Sequence, residues 1–94
     1  EAFDCSGFVY YVFKQHRISL PPPAELQGRA GHEIGRELIQ PADLVLFKVD
    51  KDFHVGIVVS GNEFVHASSS RGVTVDNMDA GYWRRHLLGY RSVF

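Results

Sequence analysis

At Pro41 the spacing of apolar side chains changes period, and that change limits the folds open to this 94-residue chain. Downstream of it, apolar residues alternate with polar ones in DLVLFKV (residues 43–49), FHVGIVV (53–59), EFVHAS (63–68), RGVTVD (71–76) and LLGYRSVF (87–94). A period of two belongs to strands, and about five such segments broken by turn residues predict an antiparallel sheet. Ser60-Gly61-Asn62 and Ser70-Arg71-Gly72 supply hairpin chemistry between neighbours. Upstream the period is helical. Phe8, Val9, Val12 and Phe13 form one amphipathic stripe. Asp4 stands where an N-cap belongs, and the helix should end near residues 16–19, before the rigid Pro21-Pro22-Pro23. Residues 24–30 read as a second short helix or turn closed by Gly31, and Gly35 and Pro41 punctuate a loop. Residues 79–85 read as a turn or one-turn helix carrying Tyr82 and Trp83. The fold class is α+β: a helix packed on one face of an antiparallel sheet, in a single domain spanning residues 1–94.

Charge and cysteine content exclude several function classes. Ten basic and eleven acidic side chains are scattered without a lysine- or arginine-rich block, so neither nucleic acid nor an anionic membrane surface is an expected partner. A single cysteine allows no intramolecular disulfide and no Cys-rich zinc site. These residues contain no signal peptide and no apolar run of membrane length, and a lone thiol leaves the compartment open.

That one thiol, Cys5, lies in the first turn of the predicted helix, where unpaired N–H groups and the positive end of the dipole are expected to lower its pKa. A nucleophile also needs a base. His54 lies on the second strand with Gly56 on its own face, opposite the apolar set Phe53, Val55 and Ile57. His66 lies on the third strand. If residues 60–62 form a three-residue loop, Val59 opposes Glu63 and Gly56 opposes His66, which puts both histidines on one face as diagonal neighbours. A two-residue loop would put them on opposite faces. On the first register, His54 would take the thiol proton and His66 would hold the imidazole in the right tautomer. The plainer readings are a buried, inert Cys5, an Asp4 that only caps, and Trp83 and the other aromatic residues as core. A zinc site from Cys5, His54 and His66 would be short of ligands. His16, His32 and His86 have no partner pattern and are assigned to the surface.

Taken in order, DCSGFVYYVF, LPPPAELQGRAG, QPADLVLF, HVGIVVSGNEFVHAS and the closing YWRR…GYRS resemble the NlpC-type cell-wall endopeptidases, part of the papain-like cysteine peptidases. The resemblance covers nearly the whole chain. DCSG followed 49 residues on by HVGI, and then by FVHAS, is specific as an ensemble. It implies a papain-like fold and a thiol hydrolase of bacterial peptidoglycan stem peptides, often cutting between γ-D-glutamate and a diamino acid. By position, Cys5 matches the nucleophile, His54 the general base and His66 the third polar residue. Asp4 and Ser6 match positions that contact the substrate's N-terminal end in some members. No metal or organic cofactor is implied, and the implied location is the cell envelope or outside the cell.

Departures from the family pattern accompany the match. Members usually have a helix and a tyrosine upstream of the nucleophile, so this domain is expected to be N-terminally truncated. Pro21-Pro22-Pro23 stand where Arg and Ser/Thr are usual, and Ala42 where Gly is common. The same three side chains would serve an amidase or an acyltransferase, which product analysis would separate. A decayed scaffold would instead be a non-catalytic module binding the wall or a partner, and the reactivity of Cys5 would tell.

Overall fold

The computed structural model describes residues 4–94. Its first element, α1 (Cys5–Gln15), starts where the sequence places it. Asp4 is the N-cap, with extended backbone, and its Oδ1 accepts from the Gly7 N–H at 2.6 Å. A Cβ on Gly7 would stand 2.6 Å from that same oxygen, so the glycine of DCSG leaves room for the cap. Past the His16 C-cap, Arg17 takes φ 62° while Ile18 N–H closes back onto the Phe13 carbonyl. After the prolines comes a single turn, α2 (Ala24–Gln27).

Six strands, not five, form one antiparallel sheet in the order β1-β6-β2-β3-β4-β5. They are β1 (His32–Ile34), β2 (Leu44–Val49), β3 (Asp52–Val58), β4 (Glu63–Ser68), β5 (Gly72–Asn77) and β6 (Leu87–Ser92). The extra strand is β1, in the stretch read from sequence as a loop. It is three residues long, too short to show alternation, and is held by pairing with β6 (His32↔Ser92 to Ile34↔Tyr90). Arg91 adds to the join by donating to the carbonyls of Arg29, Ala30 and Gly31.

Apolar packing lies on both faces of the sheet, not one. α1 sets Val9 and Phe13 against Leu44, Leu46, Val55 and Ile57. The opposite face carries Val45, Phe47, Val58, Phe64, Met78 and Tyr90, partly covered by Trp83 from the short helix α3 (Gly81–His86). The unbroken buried run Leu44–Phe47 follows from this, since a strand covered on both sides has no solvent face to alternate with. Phe53, expected in the core with Val55 and Ile57, is instead 37% exposed with the Lys48 ammonium 5.3 Å over its ring. Of the other aromatic residues expected in the core, Tyr11, Tyr82 and Phe94 are also exposed.

Two local devices position the site. The β3–β4 hairpin has the three-residue loop: Ile57 pairs Val65, Val58 pairs Phe64, and Val59 N–H donates to the Glu63 carbonyl at 3.0 Å. Continuing that register puts His66 opposite Gly56, on the face of His54. The ladder itself is confined to those two pairs, and at its open end α1 brings Cys5 to β3. The second device is Arg36, which grips both carboxylate oxygens of Asp79 at 2.9 Å and donates to the Gly61 carbonyl at 3.0 Å. It ties the β3–β4 loop to the turn that leads into α3.

Candidate active site

A cleft of about 660 Å³ opens at the start of β3 and the end of β4, and Cys5, His54 and His66 all line it. Cys5 reaches it from the first turn of α1, its Sγ 3.8 Å from the Phe53 carbonyl. The Gly7 amide is taken by the Asp4 cap and the Phe8 amide by the Asp4 carbonyl. The amides of Cys5 and Ser6 are left turned toward the sulfur's surroundings, together with that of Val55.

His54 and His66 meet as the diagonal register requires. His54 Nε2 lies 2.8 Å from His66 Nδ1, with the rings nearly perpendicular at 83°. Trp83 stacks on the His54 ring at 5.3 Å and 28°, and meets His66 edge-on at 5.1 Å. Phe64 lies under His66 at 4.6 Å, and Phe47 tilts against His54 at 6.3 Å. Both imidazoles are thus held by aromatic walls. The chain of contacts runs on: His66 Nε2 lies 2.7 Å from Asp76 Oδ2, and Arg71 donates to that same oxygen.

Burial sets the resting charge of the site. It pushes the Cys5 thiol above its ordinary value, with Asp4 adding to the rise and the Val55, Ser6 and Cys5 amides opposing it. The lowered thiol pKa expected from the helix start is therefore reversed: the first-turn amides act in that direction, but loss of water outweighs them. Burial, helped by neighbouring His66, pushes His54 down to about 4. His66 is also lowered by burial, against the pull of Asp76. Burial opposes ionisation of Asp76, but hydrogen bonds from Arg71 and His66 prevail and hold the carboxyl below its usual range. All of these shifts act in one sense, toward an uncharged thiol and uncharged imidazoles beside a charged carboxylate.

Asp4 and Ser6 flank Cys5 in a smaller recess beside the cleft, lined also by Glu25, Lys51 and Asp52. Ser6 is fixed from behind, its carbonyl accepting from the fully buried Gln27 side chain at 3.0 Å. His16 and His32 are exposed and away from the cleft, and His86 bonds the Lys48 carbonyl at 3.1 Å. Sequence reasoning missed Asp76, Arg71 and the role of Trp83. Asp76 had a signal: pairing Ser68 with Gly72 puts Asp76 opposite Phe64 and diagonal to His66. Trp83 had none, because a helix carries it over the sheet from a distant part of the chain. Among the described residues no group of three or more His, Cys, Asp or Glu is arranged to hold a metal ion.

Fold and site together define an α+β protein with a helix-borne thiol and a strand-borne histidine pair in one cleft. A family model described as NlpC/P60 family matches residues 1–92. The chain belongs to the NlpC/P60 family. It is 39% identical over 95 residues to the murein DD-endopeptidase MepS/murein LD-carboxypeptidase of Escherichia coli K12, covering 99% of this chain and 50% of that protein. It is 38% identical to the gamma-DL-glutamyl hydrolase of Bacillus subtilis, covering 97% of this chain and 23% of that one. The chain thus spans half or less of these two curated relatives. A solved lipoprotein-like member of the family from Staphylococcus aureus superposes with TM-score 0.90 at 36% identity, over 98% of this chain and 32% of its own.

Proposed function

We propose that this chain is a cysteine endopeptidase that hydrolyses amide bonds in bacterial peptidoglycan stem peptides, with Cys5 as nucleophile, His54 as general base and His66 as its orienter. The observation that carries the reading is the shared cleft. It holds a thiol at a capped helix start and an imidazole whose Nε2 is engaged by a second imidazole at 2.8 Å. His54 Nδ1 is then the nitrogen left to serve the thiol. As the Sγ attacks the scissile carbonyl, the S–H proton passes to His54 Nδ1 and the carbonyl oxygen becomes an oxyanion. The Cys5 and Ser6 amides are the donors for that charge. His54 returns its proton to the departing amine, leaving an acyl group on Cys5. Water, deprotonated by His54, then releases the acid and restores the thiol.

Starting from neutral groups means that no partly buried ion pair has to be maintained between turnovers. Asp4 and Ser6 are the residues proposed to meet the N-terminal end of the substrate, from the recess beside Cys5. The name of the gamma-DL-glutamyl hydrolase supports a γ-glutamyl bond as the target, that of the murein relative points to DD and LD bonds of the same polymer, and a murein substrate implies the cell envelope or its exterior as the location. The experiment is digestion of purified stem peptides with product masses assigned. Cleavage after γ-D-glutamate that disappears in Cys5→Ala is the expected result. Uncut peptides that nevertheless bind the chain would favour the non-catalytic wall-binding reading, and release of intact peptide from sugar would favour an amidase.

A further inference from the structure

Beyond Cys5, His54 and His66 the chain of contacts continues through two more side chains. Asp76 Oδ2 faces His66 Nε2 at 2.7 Å and is gripped on the same oxygen by Arg71. We propose that Asp76 is a positioning residue: its carboxylate, steered by Arg71, fixes the tautomers of both histidines so that the lone pair of His54 faces Cys5. The inference rests on the assignment of Cys5 and His54 as nucleophile and base.

Donor and acceptor capacity carries the argument. An ionised carboxylate only accepts hydrogen bonds, so His66 Nε2 must hold the proton. In a neutral ring His66 Nδ1 is then an acceptor. The group 2.8 Å away, His54 Nε2, must therefore be the donor. That leaves His54 Nδ1 without a proton, as a base for the thiol requires. Reverse the chain and the outcome inverts: a proton on His66 Nδ1 forces one onto His54 Nδ1, which then has no lone pair with which to take the thiol proton. His66 alone cannot choose between these states. It is 1% exposed, so no water is at hand to satisfy either nitrogen, and the group at its far side decides. Arg71 is the second anchor. By donating to Oδ2 it makes that atom the acceptor and holds it toward His66. Trp83 and Phe64 hold the rings in place for the relay but cannot select a tautomer, having no acceptor there.

The test uses the whole chain, labelled with ¹⁵N-histidine, as wild type, Asp76→Asn and Asp76→Ala. Ring-nitrogen spectra at neutral pH are read alongside stem-peptide kinetics and Cys5 alkylation. In the wild type, His66 and His54 should each be protonated on Nε2 and bare on Nδ1. Asp76→Asn should keep that pattern and most of kcat, because Arg71 still turns the amide oxygen toward His66. Asp76→Ala should mix the tautomers of both rings and lower kcat on the order of 10- to 100-fold, with KM little changed. A merely structural Asp76 would not move the ring-nitrogen pattern and would gain nothing from Asn. Wild-type spectra with His66 protonated on Nδ1, or an Asp76→Ala variant with wild-type tautomers and rate, would overturn the proposal. Should Asp76→Ala not fold, the wild-type and Asn spectra decide it. Should the wild type cleave no stem peptide, the proposed function falls, and the ring-nitrogen pattern still decides the role of Asp76.

Discussion

Cys5 sits at a helix start that would favour a thiolate and in a cleft wall that disfavours one, and the wall prevails. Alkylation of Cys5 by iodoacetamide should therefore rise with pH along a single titration above the ordinary thiol value of 9.0. A midpoint well below that would mean a preformed thiolate–imidazolium pair and would contradict the neutral resting state. The base has the matching character: with His54 at about 4, its free form persists through mildly acid solution, and His54→Ala should remove hydrolysis at every pH. A different single residue bears on stability. Ala42 holds φ 82°, its N–H on the Val58 carbonyl, in a conformation that costs a side-chain-bearing residue about 1–2 kcal/mol. Ala42→Gly gives back about 0.4–1 kcal/mol through the greater freedom of the unfolded chain. The expected net is a gain of about 0.5–1 kcal/mol, measured by urea unfolding; a loss would show that Ala42 is unstrained.

Between elements, the β3–β4 hairpin is what makes two histidines into a pair. Its three-residue loop sets the parity of the register, and Gly56, opposite His66, gives the Phe64 ring its place. A Cβ at Gly56 would stand 2.6 Å from Phe64 Cδ2 and 3.1 Å from the Val65 carbonyl. Gly56→Ala should cost about 1–3 kcal/mol of stability. It should also lower hydrolysis, because Phe64 packs 4.6 Å from the His66 ring. An unchanged rate in a folded variant would detach the hairpin from the chemistry. This parity was half legible in the sequence: alternation fixes the faces, but the choice between a two- and a three-residue loop is made by the Val59–Glu63 closure. The α1 cap was legible for a similar reason, being a contact within four residues. β1 was not, because three residues carry no period and its pairing partner lies near the other end of the chain. The double-sided sheet was missed because Trp83 and Met78 cover its second face from beyond β5. The charge state of Cys5 was missed because burial is a property of the assembled cleft, not of the helix that bears the thiol.

For the molecule as a whole, holding His54 neutral couples folding to pH. Unfolded, it titrates near 6.5, and folded at about 4, so between these values the unfolded chain binds more protons and acid favours unfolding. The contribution is complete above pH 6.5 and is lost as pH falls to about 4. His66, lowered for the same reason, acts in the same direction, and the ion-paired Asp76 gives way only in stronger acid. Discounted for the open cleft, the loss by pH 4.5 should be about 1–2 kcal/mol, and His54→Phe should flatten it. A stability profile level from pH 7 to 4.5 would place His54 in water. If the proposed chemistry holds, Cys5 becomes covalently acylated with His54 as its base. The most direct test is intact-protein mass after rapid mixing with a stem peptide, followed by mapping of the modified residue. The expected result is a transient adduct on Cys5 equal to the acyl half of the cleaved peptide, absent in Cys5→Ala and in His54→Ala. Hydrolysis that proceeds in Cys5→Ala would contradict it, as would an adduct that forms at the wild-type rate without His54.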